Sequence, residues 1–164
     1  MRKKSVILIL INALGFAEYR GEEMLIDQTD LGRGMSWEFT NEIYAVTTTE
    51  SFTEGDFLFR EGDHAKYFYV LLEGRVRLSM GKTRYVLYLV DRPGEAFGWS
   101  SLVGREVYSA SAECVLASKC FRIDKEAFDK VLERKTADGV IFFRRLAGIL
   151  GERLINIYDT LLLG

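Results

Sequence analysis

The stretch that decides the fold is FTEGDFLFREGDHAKYFYVLLEGRV, which occupies residues 52–76. Its apolar runs alternate with turn sequences at 53–56, 61–63 and 73–74, and each of these turns contains a glycine. Short runs rich in aromatic and β-branched residues, bounded by glycine and acidic residues, are typical of strands joined by tight turns. The stretch therefore predicts strands at 57–60 and 67–72, with a tight connection at 73–74 before the next strand.

The same alternation extends on both sides of this stretch. A β-branched run at 46–52 precedes it, and alternating apolar residues follow at 75–80 and 85–90, separated by a two-residue hairpin signal at Gly81 and Lys82. A turn at 91–94 contains Pro93, and two more strands are predicted at 108–115 and 119–123. About five strands at short, regular spacing between residues 45 and 90 favour an antiparallel sandwich or barrel.

Helical patterns flank the strands. Ser36 is a good N-cap for a short helix that runs to about Tyr44, and residues 99–103 suit one or two helical turns. Asp124 is a good N-cap for a helix over residues 125–134. The fold class is therefore mainly β with flanking helices.

The last segment is a long amphipathic helix, predicted over residues 140–161. Its apolar residues recur mostly at steps of three and four: Val140, Phe143, Leu146, Ala147, Leu150, Leu154, Ile157 and Leu161. This apolar stripe is wider than one edge of a small β-sheet can cover. Either the helix folds back on the sheet, or it pairs with a copy of itself.

Composition excludes several classes of function. The chain has 164 residues and a formal net charge of −2, which fits one domain and gives no electrostatic signal for binding nucleic acid. The lone histidine, His64, provides no imidazole cluster for a metal and so argues against a cupin enzyme. Cys114 and Cys120 match no zinc spacing and are interpreted as small apolar residues of a protein in a reducing compartment, the cytoplasm.

The N-terminus is harder to interpret. Residues 1–17 read MRKKSVILILINALGFA, with a basic start and an apolar run too short to span a bilayer. They suit a signal peptide, a docking segment or an unstructured artefact of the expression start; we favour an apolar segment that packs on the domain or on a partner. Residues 18–34 are read as a loose connection. The predicted division is a segment at 1–35 and a domain at 36–164, with a β-roll at about 45–123 and C-terminal helices at about 125–162.

The order of elements and the glycine spacing together carry a family resemblance. A short helix, a roll interrupted by a small helix and two C-terminal helices resemble the cyclic nucleotide-binding domain of Crp/Fnr-type regulators and cyclic-nucleotide-dependent kinases. The joint spacing of Gly55, Gly62 and Gly74 matches the family's turn glycines, and GEAFG at 94–98 matches the approach to its phosphate-binding cassette. The resemblance covers about residues 36–161 and implies an eight-strand antiparallel β-roll of the double-stranded β-helix or jelly-roll type.

The cassette sequence departs from the family pattern at two positions. A glycine such as Gly98 lets the backbone approach an anion, and a following helical turn at 99–102 points N–H groups at it. The resemblance implies a Glu directly after this glycine, for the ribose hydroxyl, and an Arg about nine residues later, for the phosphate. These positions hold Trp99, whose indole only donates a hydrogen bond, and Tyr108, a neutral donor.

The candidate ligand-binding residues come from the cassette, from the strand that follows it and from the family's base-contact position on the long helix. They are Phe97, Gly98, Trp99, Ser100, Ser101, Leu102, Tyr108, Ser109, Ala110, Ser111 and Tyr158. Trp99 is either an aromatic wall of the pocket or a plug that fills it. The expected ligand, if there is one, is a cyclic nucleotide or another small anion, and no metal or catalytic residue is predicted.

The resemblance implies a non-enzymatic regulatory or sensor module with a degenerate cassette, which signals by movement of its C-terminal helices when the pocket fills. The alternative is a ligand-free interaction or dimerisation module whose pocket Trp99 plugs. The expected partners are a small-molecule ligand, a second copy held through the long helix and a separate effector protein. Because no helix-turn-helix domain follows the long helix, direct contact with nucleic acid is not expected, and neither is a membrane span.

Overall fold

The computed structural model of the chain describes residues 26–163, so the predictions for residues 1–17 lie outside the described part. Six strands form one antiparallel sheet in the order β1-β6-β3-β4, with β2 paired to β6 and β5 paired to β3. The strands are β1 (Thr47–Phe52), β2 (Phe57–Phe59), β3 (Tyr67–Met80), β4 (Tyr85–Val90), β5 (Ala96–Phe97) and β6 (Ser111–Asp124).

Three α-helices flank the sheet. They are α1 (Trp37–Ala45), α2 (Lys125–Arg134) and the long α3 (Thr136–Leu163), and short 3-10 helices lie at Ile26–Gln28 and Trp99–Leu102. Both predicted N-caps are confirmed, because the Ser36 hydroxyl accepts from the Phe39 N–H and the Asp124 carboxylate accepts from the Ala127 N–H. The long helix begins four residues earlier and ends two residues later than predicted.

Two pairs of predicted strands are in fact single long strands. The segments 67–72 and 75–80 form one strand, β3, and the predicted strands at 108–115 and 119–123 give one strand, β6, that begins only at Ser111. Gly74 explains the first error: it bends the chain with a φ of 95° at a break in the β3–β6 register, without ending the strand. A Cβ there would lie 2.4 Å from the Ala117 carbonyl oxygen, so only glycine fits.

The predicted two-residue hairpin also differs. Four residues, 81–84, connect β3 to β4, and the Arg84 N–H donates to the Gly81 carbonyl oxygen. Arg84 takes a positive φ of 51° and its guanidinium lies over the Phe57 ring, which anchors the longer turn to β2.

The two faces of the sheet bury different clusters, because successive side chains of a strand point to opposite faces. Tyr69 and Leu71 face a cluster inside the roll, which we call the inner cluster. Phe68 and Val70 face a second cluster, the outer cluster, which the three helices cover with residues such as Phe39, Phe128 and Phe142. The fold therefore holds the sheet between a filled roll interior and a helical layer.

The described part of the predicted loose connection is packed on the body. Ile26 and Leu31 are buried in the outer cluster, and the buried Thr29 hydroxyl donates to the Ile26 carbonyl oxygen. The start of α3 is tied to the start of α1, since the Asp138 carboxylate accepts from both the N–H and the hydroxyl of Ser36, at 2.8 Å each. Residues 26–35 thus continue the helical layer.

Candidate functional site

The cassette backbone has the predicted form. Phe97 ends β5 with 1% of its surface exposed, Gly98 follows in the left-handed region at φ 76°, and the 3-10 helix Trp99–Leu102 comes next. A Cβ on Gly98 would lie 3.3 Å from both the Phe59 and Tyr69 rings, so the backbone runs against the aromatic interior of the roll. The backbone at Gly98 is therefore packed closely against two aromatic side chains.

Hydroxyl groups join the cassette helix to the start of β6. The Ser100 hydroxyl lies 3.3 Å from the Ser109 hydroxyl and accepts from the Ser109 N–H, and the buried Ser101 hydroxyl donates to the Gly98 carbonyl oxygen. The structure thus brings the cassette helix and Ser109 together. Ser111 turns elsewhere, since its hydroxyl accepts from the Glu61 N–H in the turn after β2. Ala110, between the two serines, is half-buried.

Tyr108 lies inside the roll. Its ring stacks on Phe59, with centroids 3.8 Å apart and planes at 15°, and only 4% of the residue is exposed. Its hydroxyl donates to the Tyr67 carbonyl oxygen at 2.6 Å and accepts from the Tyr67 N–H at 3.1 Å. The side chain at the position of the family's arginine is therefore a bonded core residue.

The phenols of the interior stay neutral. Burial raises the pKa of Tyr108 to about 12, although its hydrogen bond with the Tyr67 backbone acts in the opposite direction. Burial also raises the pKa of Tyr69, whose ring stacks on Phe97 at 5.5 Å. Two aromatic stacks thus fill the space beside Gly98 with neutral groups.

Trp99 lies half-buried on the other side of the sheet, where it packs with Leu102 against the outer cluster. The filling of the roll interior therefore comes from Phe59 and Tyr108, and Trp99 contributes to the contact between the cassette and the helical layer.

Tyr158, the candidate base contact, is 53% exposed on α3. A cavity of about 20 Å³ lies within the outer cluster, lined by residues such as Phe68 and Ile123. It is far smaller than a nucleotide.

A buried acid near the cassette was missed by the sequence reasoning. The Glu95 carboxylate, directly before β5, accepts from the Tyr88 hydroxyl at 2.6 Å, from the N–H groups of Asp91 and Arg92, and from the Arg92 guanidinium. Burial alone would raise its pKa, but these hydrogen bonds prevail and hold the pKa below its ordinary value.

Arg153 of α3 completes this group and was also missed. Its guanidinium donates to the Ala96 carbonyl oxygen at 2.8 Å, lies 4.0 Å from the Glu95 carboxylate and covers the Tyr88 ring at 4.5 Å. The sequence holds a signal for it, since position 153 continues the three- and four-residue steps of the inward-facing Phe142 and Leu146. We call Tyr88, Arg92, Glu95 and Arg153 the Glu95 network.

Comparison with known proteins agrees with this architecture. The model of the cyclic nucleotide-binding domain matches residues 49–135, just over half of the chain. The chain belongs to the cyclic nucleotide-binding domain family. The family predicted from the glycine spacing is thereby confirmed, as are the antiparallel β-roll and its flanking helices, but the described residues form six strands where the resemblance implied eight.

Three relatives illustrate the family. Mouse cGMP-dependent protein kinase 2 is 26% identical over 125 residues, which are 71% of this chain and 16% of the kinase. The catabolite activator protein of Thermus thermophilus is 25% identical, with a TM-score of 0.66 over 82% of this chain and 62% of that one. The sensor domain of the transcriptional regulator DNR from Pseudomonas aeruginosa has a TM-score of 0.66 at 23% identity, over 80% of this chain and 94% of that one, and shows the fold alone.

These relatives bear on the class of function. The fold and the regulator neighbours support a regulatory sensor module. The family domain makes up only a small part of the kinases, in which the kinase domain is separate. Within residues 26–163, no helix has the length and apolar character needed to cross a membrane.

Proposed function

We propose that the chain is a non-enzymatic regulatory module that works through α3 and whose cassette does not bind ordinary cyclic nucleotides. The observation that carries the proposal is the Tyr108 ring, stacked on Phe59 inside the roll with its hydroxyl bonded to Tyr67. A ligand phosphate beside Gly98 would have to displace this stack. This proposal follows the alternative of a ligand-free module, except that Tyr108 and Phe59, and not Trp99, fill the roll.

Electrostatics support the same conclusion. A phosphate taken out of water needs a cation or several N–H donors, and paired Arg–phosphate contacts are the strong form. In this chain the family's arginine position offers a phenol that burial keeps neutral. The family's ribose acceptor position offers Trp99, which packs on the outer cluster and has only an N–H to donate. Both specific contacts that the family makes with its ligand are therefore missing at these positions.

The element through which we expect the module to act on other proteins is α3, which carries two apolar stripes. Phe142 and Leu146 face the outer cluster and hold the first half of the helix on the body. The second stripe follows a seven-residue repeat, with steps of three and four, and faces away from the body in most of its length: Val140, Phe143, Ala147, Leu150, Leu154, Ile157 and Leu161. We call this stripe the heptad stripe.

The heptad stripe suits a second copy of the same helix. Its repeat of 3.5 residues is the period at which two helices keep one face together in a coiled coil. Leu154, Ile157 and Leu161 are 46%, 43% and 69% exposed, which leaves a contiguous apolar surface open in one chain. We propose a homodimer through this stripe, which presents the rolls to a separate effector protein. We place the module in the cytoplasm, a proposal supported by the free, buried thiols of Cys114 and Cys120.

Isothermal titration calorimetry tests the proposed state of the cassette. The native chain titrated with cyclic AMP, cyclic GMP and a cyclic dinucleotide is expected to give no saturable heat and no shift of its melting temperature. One saturable binding event per chain with any of these ligands would overturn the proposal and restore the ligand-sensor interpretation. If one of these ligands does bind, the variant Trp99→Ala tests Trp99 as a wall of the pocket, since the loss of a ligand wall would change the affinity.

A further inference from the structure

The Glu95 network connects α3 to the strand that leads into the cassette. Arg153 belongs to α3, whereas Glu95 and the Ala96 carbonyl group lie at the start of β5, two to three residues before Gly98. The Arg153 side chain is 13% exposed and that of Glu95 is 2% exposed, so water screens their attraction only weakly. This contact therefore links the candidate output helix directly to the candidate ligand site.

Arg153 lies at the boundary between the packed and the exposed part of α3. Before it, Phe142 and Leu146 pack on the body, and Asp138 ties the start of the helix to Ser36. After it, every described side chain of α3 is exposed. Arg153 is thus the last sheltered residue of the helix, and its polar contacts fix the point at which α3 leaves the body.

The partners of Glu95 differ in what they connect. Tyr88 donates from β4, and Arg92 donates from the turn between β4 and β5 while its own side chain is 71% exposed. Arg92 keeps the carboxylate in place without touching α3 in the contacts described, whereas the Tyr88 ring also lies beneath the Arg153 guanidinium, at 4.5 Å. Arg153 reaches the same carboxylate from the helix and also binds the neighbouring Ala96 carbonyl oxygen. The turn thus forms a fixed acceptor, and Arg153 is the part that joins the helix to it.

We propose that Arg153 and Glu95 form a built-in latch that holds α3 against the cassette strand without any ligand. This inference rests on the proposed function, because it assigns to a protein contact the role that a ligand between roll and helix would play. Opening the latch frees the second half of α3 and loosens β5 together, since one contact restrains both. The two ends are therefore coupled: a change at the cassette shifts α3, and a change in the position of α3 shifts the cassette.

Hydrogen exchange followed by mass spectrometry tests the latch in the full chain. Arg153→Met keeps the length of the side chain and removes its hydrogen bonds and charge. Amides of residues 96–102 and of residues 154–163 are both expected to exchange roughly ten- to a hundredfold faster, the change expected when a hydrogen bond to a charged group is lost. Amides of β1 and β6 are expected to exchange at native rates, because the free energy of global unfolding does not depend mainly on the Arg153 contacts.

Arg92→Met is the matched control. It also removes a charged donor from Glu95, at 3.0 Å, but leaves the contacts of Arg153 intact. It is expected to leave exchange in residues 154–163 at the native rate. Arg153→Lys keeps the charge and loses the planar donor group, so it is expected to fall between the native chain and Arg153→Met.

The inference is overturned if Arg153→Met leaves either segment at its native rate, or if Arg92→Met accelerates residues 154–163 as much as Arg153→Met does. If Arg153→Met accelerates β1 and β6 to the same extent, Arg153 is a general stability residue and the latch is likewise rejected. The proposed function fails separately, by saturable cyclic nucleotide heat in calorimetry or by a monomer in sedimentation. The two failures are therefore distinguishable.

Discussion

Replacing Tyr108 by Phe isolates the hydroxyl group that fixes this side chain inside the roll. The ring of the variant keeps the stack on Phe59 at 3.8 Å, because only one oxygen atom is removed. Two hydrogen bonds are lost, one to the Tyr67 carbonyl oxygen and one from the Tyr67 N–H. Both belong to the first residue of β3, so the change acts on the point where the chain enters the long strand.

The expected loss of stability follows from these two contacts. A buried polar group left without its partner costs about 1–3 kcal/mol. Tyr67 is only half-buried, so water partly replaces the lost partner, and we expect a total loss of about 2 kcal/mol for Tyr108→Phe. For a chain of this size, that loss corresponds to a fall in melting temperature of about 4–8 °C.

Urea unfolding followed by circular dichroism measures this loss, with Tyr85→Phe as the matched control. Tyr85 is 70% exposed, so its hydroxyl is already in water and its loss is expected to leave the unfolding midpoint unchanged. Tyr108→Ala removes the stack as well and is expected to cost about 3–5 kcal/mol, the range for aromatic residues cut back in a core. Equal midpoints for the native chain and Tyr108→Phe would show that the hydroxyl does not hold the ring in the roll, contrary to this prediction.

Three further predictions follow from other parts of the molecule. Gly74→Ala is expected to destabilise the chain far more than Gly55→Ala, because both glycines have φ near 90° but only at Gly74 does the new Cβ meet backbone atoms; equal losses in urea unfolding would count against the bulge. Glu95 has a pKa lowered from about 4.5, so its stabilising contribution is present above that pH and is lost as the pH falls through the lowered value. Glu95→Gln is therefore expected to flatten the loss of unfolding free energy as the pH falls below about 4.5, and a slope equal to the native one would contradict this. Ile157→Glu, on the heptad stripe, is expected to shift sedimentation from dimer to monomer, while Ile155→Glu, one position off the stripe, is not; matching behaviour of the two variants would reject the pairing through that stripe.

The strands and turns were largely predictable because their signals are local. Ser36 and Asp124 cap their helices as their side-chain chemistry predicts, since a cap depends on groups three residues apart. The turn glycines could be placed for the same reason. The continuation of one strand through Gly74 could not be predicted, because a bulge and a chain reversal use the same glycine conformation and differ only in the partner strand.

The side chains that fill the interior of the roll were harder to predict from the sequence. Tyr108 was placed at the cassette by its spacing, but its stack on Phe59 joins residues 49 positions apart and depends on how β2 folds over the sheet. Trp99 was expected at the pocket, and it packs on the helical side because the left-handed Gly98 redirects the chain. The position of a side chain on one or the other face of a sheet is decided by long-range register, which spacing alone does not give.

The long helix shows the same limit in another form. Its apolar repeat predicted two alternatives, folding back on the sheet or pairing with a copy. The structure shows the first for Phe142 and Leu146, and the second remains a proposal for the heptad stripe. Arg153 was not predicted as a functional residue, because a charged residue among apolar steps is ordinarily solvated, whereas its guanidinium lies beside the buried Glu95 carboxylate.

Sedimentation equilibrium of the full native chain, with and without an excess of cyclic AMP or cyclic GMP, shows whether the dimer forms and persists independently of these ligands. We expect a dimer in the absence of ligand and the same dimer in the presence of either nucleotide. A nucleotide shifts an association equilibrium only if it binds the two states with different affinity. A change of association state on addition of either nucleotide would contradict the proposal that the dimer forms without a ligand.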